Sequence, residues 1–152
     1  QLTGTWNGVF VFDDYAHHPT EIAAVLRAAR ASAKGRVIAV VEPHRYTRVN
    51  DLFDDCCACL QNADSVIVTP LYSAGELPID GIDNYSLADG IRDAGHGSVI
   101  AVDSERDVAP ALWRVVQPGD MVICLGAGNS TELAHALPEL LGGEPKRVGG
   151  AA

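Results

Sequence analysis

The run RVIAVV at residues 36–41 constrains this chain more than anything else in it. It is apolar without alternation and dominated by β-branched residues. A strand of that kind is buried on both faces, and strands buried on both faces belong to parallel sheets covered by helices. The segments around it fit the same plan. A helix is expected from Pro19, which suits a first helical position and is followed by Glu21 in the first turn; Ile22, Val25, Leu26 and Ala29 then recur at helical spacing, and Gly35 closes the element. Further strands are expected at Ser65–Thr69, 98–102 and 120–126, with helices at about 50–61, 86–94, 104–116 and 130–141. Before all of these, VFVF at 9–12 follows Asn7-Gly8, a hairpin signal that joins it to Leu2–Trp6. Alternating strands and helices of this size predict an α/β fold: a mostly parallel sheet with helices on both faces and an N-terminal β-hairpin.

The chain has 152 residues, the length of one ordinary domain. No apolar run reaches the roughly 18 residues a membrane span needs, and no membrane partner is expected. Gln1 begins neither a secretory signal nor a translation start, so the chain reads as a piece of a longer one. A formal net charge of -9 repels phosphodiester backbones, which argues against a nucleic-acid partner but leaves room for small anions where basic residues cluster. Cys56, Cys57, Cys59 and Cys124 lack the two C-x-x-C pairs of a zinc site and read as reduced, half-buried residues of a cytosolic protein. The stretch from 70 to 85 is rich in Pro, Gly and Asp and reads as a long loop; GGEPKRVGGAA, from Gly142, reads as a frayed tail.

Four polar or glycine-rich segments directly follow strands: DDYAHHP, EPHRYTR, PLYSAGE and GAGN. In a parallel sheet ligands bind beyond the carboxyl ends of the strands, so all four are expected along one edge. DDYAHHP serves either as a helix entry, with an aspartate on nearby amides and His18-Pro19 fixing the turn, or as a site. In the site, Asp14 accepts from ligand hydroxyls, Tyr15 walls a small pocket, and His17 faces a phosphate. In EPHRYTR, His44, Arg45 and Arg48 gather positive charge in an acidic chain, and guanidinium pairs grip carboxylates or phosphates bidentately. Cations at a helix start oppose its dipole, which favours a bound anion there over a merely solvated face. YSAGE is expected to be structural, with Gly75 permitting a turn, Tyr72 in the core and Glu76 solvated. GAGN looks like a phosphate-cradling turn but matches neither standard glycine motif, and a structural role is preferred. His96 and His135 are read as surface or helix histidines.

In their order and spacing, DDYAHHPTEI, EPHRYTR with a following D-L-F helix, YSAGELPIDG and GDMVICLGAGN resemble the C-terminal domain of the Mur ligase family, over about Gly8 to Leu141. The P-H-R-Y-T-R segment points to the alanine-adding branch; the murein-peptide ligases share D-D-x-A-H-H-P but lack it. The resemblance implies a Rossmann-like three-layer sandwich at 1–141, preceded in the whole protein by an N-terminal UDP-binding domain and a central ATPase domain. No P-loop exists in this chain. The implied reaction, in the bacterial cytoplasm, uses ATP and Mg2+, with the metal ligands mainly on the central domain. ATP phosphorylates the lactyl carboxylate of UDP-N-acetylmuramate, and the amine of L-alanine attacks the acyl phosphate to form an amide in peptidoglycan synthesis. By the same resemblance Arg45 and Arg48 hold the alanine carboxylate and offset charge at the acyl phosphate. His44 and Tyr15 shape the side-chain pocket, Asp14 contacts the ATP ribose, and His17 lies beside the nucleotide. Two positions depart from the family pattern: Glu42 stands where glutamine is common, and Ser130-Thr131-Glu132 replaces a more usual apolar residue.

Two other classes compete: a metal-dependent hydrolase using Asp13, Asp14, His17, His18 and His44, and a standalone nucleotide or amino-acid binding module. The isolated lobe of a ligase is expected to be inactive.

Overall fold

A computed structural model describes residues 1–143. Its order is β1 (Leu2–Trp6), β2 (Val9–Asp14), α1 (Pro19–Ser32), β3 (Val37–Val41), α2 (Tyr46–Asp51), α3 (Phe53–Ala58), β4 (Ser65–Val68), α4 (Asn84–Asp93), β5 (Val99–Ala101), α5 (Val108–Val115), β6 (Met121–Leu125) and α6 (Ser130–Gly142). A single 3₁₀ turn, Glu105–Asp107, leads into α5. The sheet order is β1-β2-β6-β3-β4-β5. β1 and β2 form the expected antiparallel hairpin, turning at Asn7 (φ 50°) and Gly8 (φ 78°), and all other pairs are parallel.

Every residue of β3 is buried, as its uniform apolar sequence requires. Alternate side chains enter different cores. Val37, Ala39 and Val41 join Ile22, Leu26, Leu60, Leu87 and Ile91 under α1, α3 and α4. Ile38 and Val40 join Leu112, Leu133 and Leu137 under α5 and α6 on the other face. The chain steps from β2 through β3 and β4 to β5 in one direction, then returns to insert β6 between β2 and β3. Because crossovers keep one hand, reversing the direction of travel transfers the helices to the opposite face.

Several local expectations are corrected. The helix expected at about 50–61 begins earlier, at Tyr46, and is broken at Leu52 (φ −118°) into two short pieces. Gly35 does not terminate α1, whose cap is Ala33; it is small because a Cβ there would collide with the Gly119 carbonyl. His96 is no surface histidine: it is buried, with Nε2 donating to the Ala63 carbonyl at 2.7 Å and Nδ1 accepting from the Ser98 amide at 3.1 Å. Gly142 still belongs to α6, and the remainder of the expected tail, from 144, lies outside the described residues.

Candidate functional site

The carboxyl ends of β2, β6, β3 and β4 lie side by side, so the four polar segments do share one edge. Side chains tie them together in sequence. Tyr15 meets His17 edge-on at 5.1 Å between ring centroids, and His17 meets His44 edge-on at 5.0 Å. His44 stacks on Tyr72 at 5.4 Å with the planes 10° apart. Tyr72 in turn packs on Gly128, where a Cβ would stand 2.5 Å from the ring. Glycine is required at 128 for this close approach, not for any unusual backbone angle.

Each polar group has a definite partner. Asp14 turns its Oδ1 to the Ala16 amide at 2.9 Å. His17 donates from Nδ1 to the Tyr15 carbonyl at 2.8 Å, since a carbonyl can only accept. His18 caps α1: its Nδ1 accepts from the Thr20 amide and its own amide donates to Glu21, which closes a capping box. Arg48 Nη1 donates to His44 Nδ1 at 3.3 Å, leaving the His44 proton on Nε2. Burial, reinforced by His17, Arg48 and Arg45, lowers the His44 pKa from its ordinary value. Neutral His44 can therefore accept from Arg48 and donate outward at once.

Arg45 stands immediately before α2 with φ 70° and ψ 133°, a conformation rare outside glycine. Its amide donates to the Tyr72 carbonyl at 2.8 Å, and the Tyr72 amide donates to the Pro43 carbonyl at 2.8 Å. Arg45 and Arg48 thus sit at the N-terminal end of a six-residue helix, the placement that favours an anion.

Two expectations change here. Glu76 is not simply solvated: its carboxylate accepts from Thr47 Oγ1 at 2.6 Å and from the Thr47 amide at 3.1 Å, and these bonds hold its pKa below the ordinary value. Glu42 is buried and turns to the GAGN segment, accepting from the amides of Gly128 at 2.8 Å and Asn129 at 2.9 Å. The GAGN turn is therefore a cradle filled by the protein's own carboxylate, in keeping with a structural role. No local signal in the sequence announces that pairing, which spans 86 residues.

The residues fall into two groups around this edge. His17, Glu42, His44 and Arg48 line a cavity of about 20 Å³, floored by Val41, Cys56, Cys59 and Leu87; that is room for about one water molecule. Asp14 lies apart, on a groove between the sheet and α1 with Asp13, Val25 and Ala29. Tyr15 is 68% exposed and walls no closed pocket within this chain. The hydrolase alternative needs Asp13, Asp14, His17, His18 and His44 to converge, but Asp13 accepts from Thr131, Asp14 serves Ala16 and His18 caps α1. Among the described residues no group of three or more His, Cys, Asp or Glu side chains is disposed to hold a metal ion.

The segments that meet at this edge run from 13 to 129, and the family described as "Mur ligase, glutamate ligase domain" matches residues 1–128. The chain belongs to the Mur ligase family. Over 136 residues it is 56% identical to the UDP-N-acetylmuramate--L-alanine ligase of Methylobacterium nodulans, covering 90% of this chain and 29% of that protein. The chain thus spans less than a third of the length of the curated relatives it matches. Among solved structures, it is similar to the murein peptide ligase of Psychrobacter arcticus, with a TM-score of 0.73 and 25% identity over 94% of this chain and 29% of that one. The UDP-N-acetylmuramate-alanine ligase of Thermotoga maritima shares the fold, with a TM-score of 0.69 and 23% identity over 88% of this chain and 26% of that one. A Mur ligase C-terminal domain is the Rossmann-like sandwich seen here.

Proposed function

We propose that this chain is the C-terminal domain of an ATP-dependent ligase that joins L-alanine to UDP-N-acetylmuramate in bacterial peptidoglycan synthesis, working with an N-terminal UDP-binding domain and a central ATPase domain. The observation that carries the reading is the pair of cations Arg45 and Arg48 beside neutral His44 at the start of α2, on the edge where the strands end. Two guanidinium groups there match the carboxylate of an amino acid in geometry and in charge.

In the reaction, the lactyl carboxylate takes the γ-phosphoryl group of ATP. The alanine amine then attacks the acyl carbon and releases a proton to solvent, the amide bond forms, and phosphate leaves with the electron pair of the broken C–O bond. Arg45 and Arg48 hold the alanine carboxylate, and their positive charge offsets the charge that develops beside it. His44 presents Nε2–H to the same space, and Tyr15 becomes a pocket wall when a facing domain covers it. Asp14 keeps an oxygen for a ribose hydroxyl, and His17 lies beside the nucleotide. The chain's own residues suit a nucleoside contact and not a triphosphate cradle, because Glu42 occupies the GAGN amides. The phosphate grip and the Mg2+ ligands accordingly belong to the central domain, and this lobe alone is inactive.

In a whole ligase carrying this domain, Arg48→Ala is expected to lower kcat/KM for L-alanine by between about ten- and a thousandfold, as for other charged positioning groups, while thermal unfolding changes little. Steady-state kinetics with UDP-N-acetylmuramate, ATP and varied L-alanine checks this. Unaltered alanine kinetics would remove Arg48 from the site.

A further inference from the structure

The start of α2 carries two cations and no acidic residue of its own, and its cap position, Arg45, makes no side-chain capping bond. Both features disfavour a helix here. The missing carboxylate comes from the third segment. Ala74 (φ 50°) and Gly75 (φ 84°) turn the chain sharply, the Glu76 amide donates back to the Ser73 carbonyl at 3.0 Å, and the Glu76 side chain is thereby returned to Thr47. It accepts from the Thr47 amide and hydroxyl together, and its charge also attracts Arg45. Flanking bonds hold the strained backbone of Arg45 from both sides: Tyr72 accepts from its amide and Glu76 accepts from the turn that follows.

We infer that Glu76 is a positioning residue for amino-acid binding: by capping α2 through Thr47 it fixes the direction in which Arg45 and Arg48 point. This rests on the reading that those two arginines hold the alanine carboxylate. Each of its carboxylate oxygens accepts from Thr47, so its effect passes through the helix start.

The test uses a whole ligase carrying this domain, with L-alanine as the varied substrate. Glu76→Ala is expected to raise KM for alanine by between about ten- and a hundredfold, because loosening a positioning group by about an ångström has consequences of that size. KM for ATP and for UDP-N-acetylmuramate should stay within about twofold of the parent. Thr47→Val, which deletes one of the two bonds, should raise KM for alanine less. The double variant should be no worse than Glu76→Ala alone, since both changes remove one contact. If Glu76→Ala fails to fold, Glu76→Gln, which keeps an acceptor for the Thr47 amide, and Thr47→Val carry the same comparison. Unchanged alanine KM, an equal rise for all three substrates, or multiplying effects in the double variant would each overturn the role of Glu76. Normal alanine kinetics in both Arg45→Ala and Arg48→Ala would instead overturn the reading beneath it.

Discussion

Glu42 shows how one residue can look like a liability in sequence and become a support in the fold. It follows β3 directly, and extra negative charge beside Arg45 and Arg48 would oppose anion binding. Its carboxylate instead satisfies two amides at the start of α6, where the helix dipole favours it. Burial nevertheless raises its pKa, and the hydrogen bonds from Gly128 and Asn129 offset only part of that rise. A carboxylate whose folded pKa lies above the unfolded one contributes stability that is complete below the unfolded value and lost as pH rises through the folded value. The melting temperature of the parent minus that of Glu42→Gln is therefore expected to shrink as pH rises from about 4 to 7. A difference that widened with pH would contradict the burial argument. The thiols obey the same physics: burial pushes Cys56 and Cys57 up to about 11 and Cys59 up to about 12, and moves Cys124 upward as well. Alkylation by iodoacetamide at pH 8 should be slow at all four in the folded chain and fast in denaturant, as peptide mapping would show.

Among the elements, α6 is the one whose sequence most resists its structure. Pro138 stands inside it and supplies no amide, so the carbonyl of Ala134, four residues earlier, has no helical donor. Thr3 of β1 fills the gap: its Oγ1 donates to that carbonyl at 2.8 Å. Gly4 beside it admits the proline ring, whose Cγ would lie 2.7 Å from any Cβ placed there. The hairpin and the last helix are thus matched through a defect in one and small residues in the other. Thr3→Val should cost about 1 kcal/mol, the usual consequence of losing one such bond, with urea denaturation as the measurement. At the opposite rim from the site, buried Asp120 takes the Arg36 guanidinium at 2.7 Å and the Gln117 amide at 2.7 Å. That contact pins the entry of β3 to the entry of β6.

At the scale of the whole molecule, one sheet separates two apolar cores. Leu26 and Leu137 are both fully buried, one in each. Truncating either to alanine is expected to cost about 2–5 kcal/mol. Because no shared partner links them, the losses should add to within about 0.5 kcal/mol in the double variant, measured by chemical denaturation. The strands, most helices, the hairpin and the placement of four polar segments after strand ends were legible in the sequence, because each depends on local spacing, burial pattern and turn chemistry. The apolar run at 36–41 alone implied two covered faces. Arg45 and Arg48 could be singled out because an acidic chain had placed cations at a helix start. Sequence order could not say that β6 lies between β2 and β3, so it could not bring Glu42 to Gly128. Nor could it stack Tyr72 on His44, return Glu76 to Thr47, or separate Asp14 from the cavity that His44 and Arg48 line. Those pairings join residues tens of positions apart. They form only when packing on both faces of the sheet has fixed the strand order, and that is a property of the assembled cores rather than of any segment.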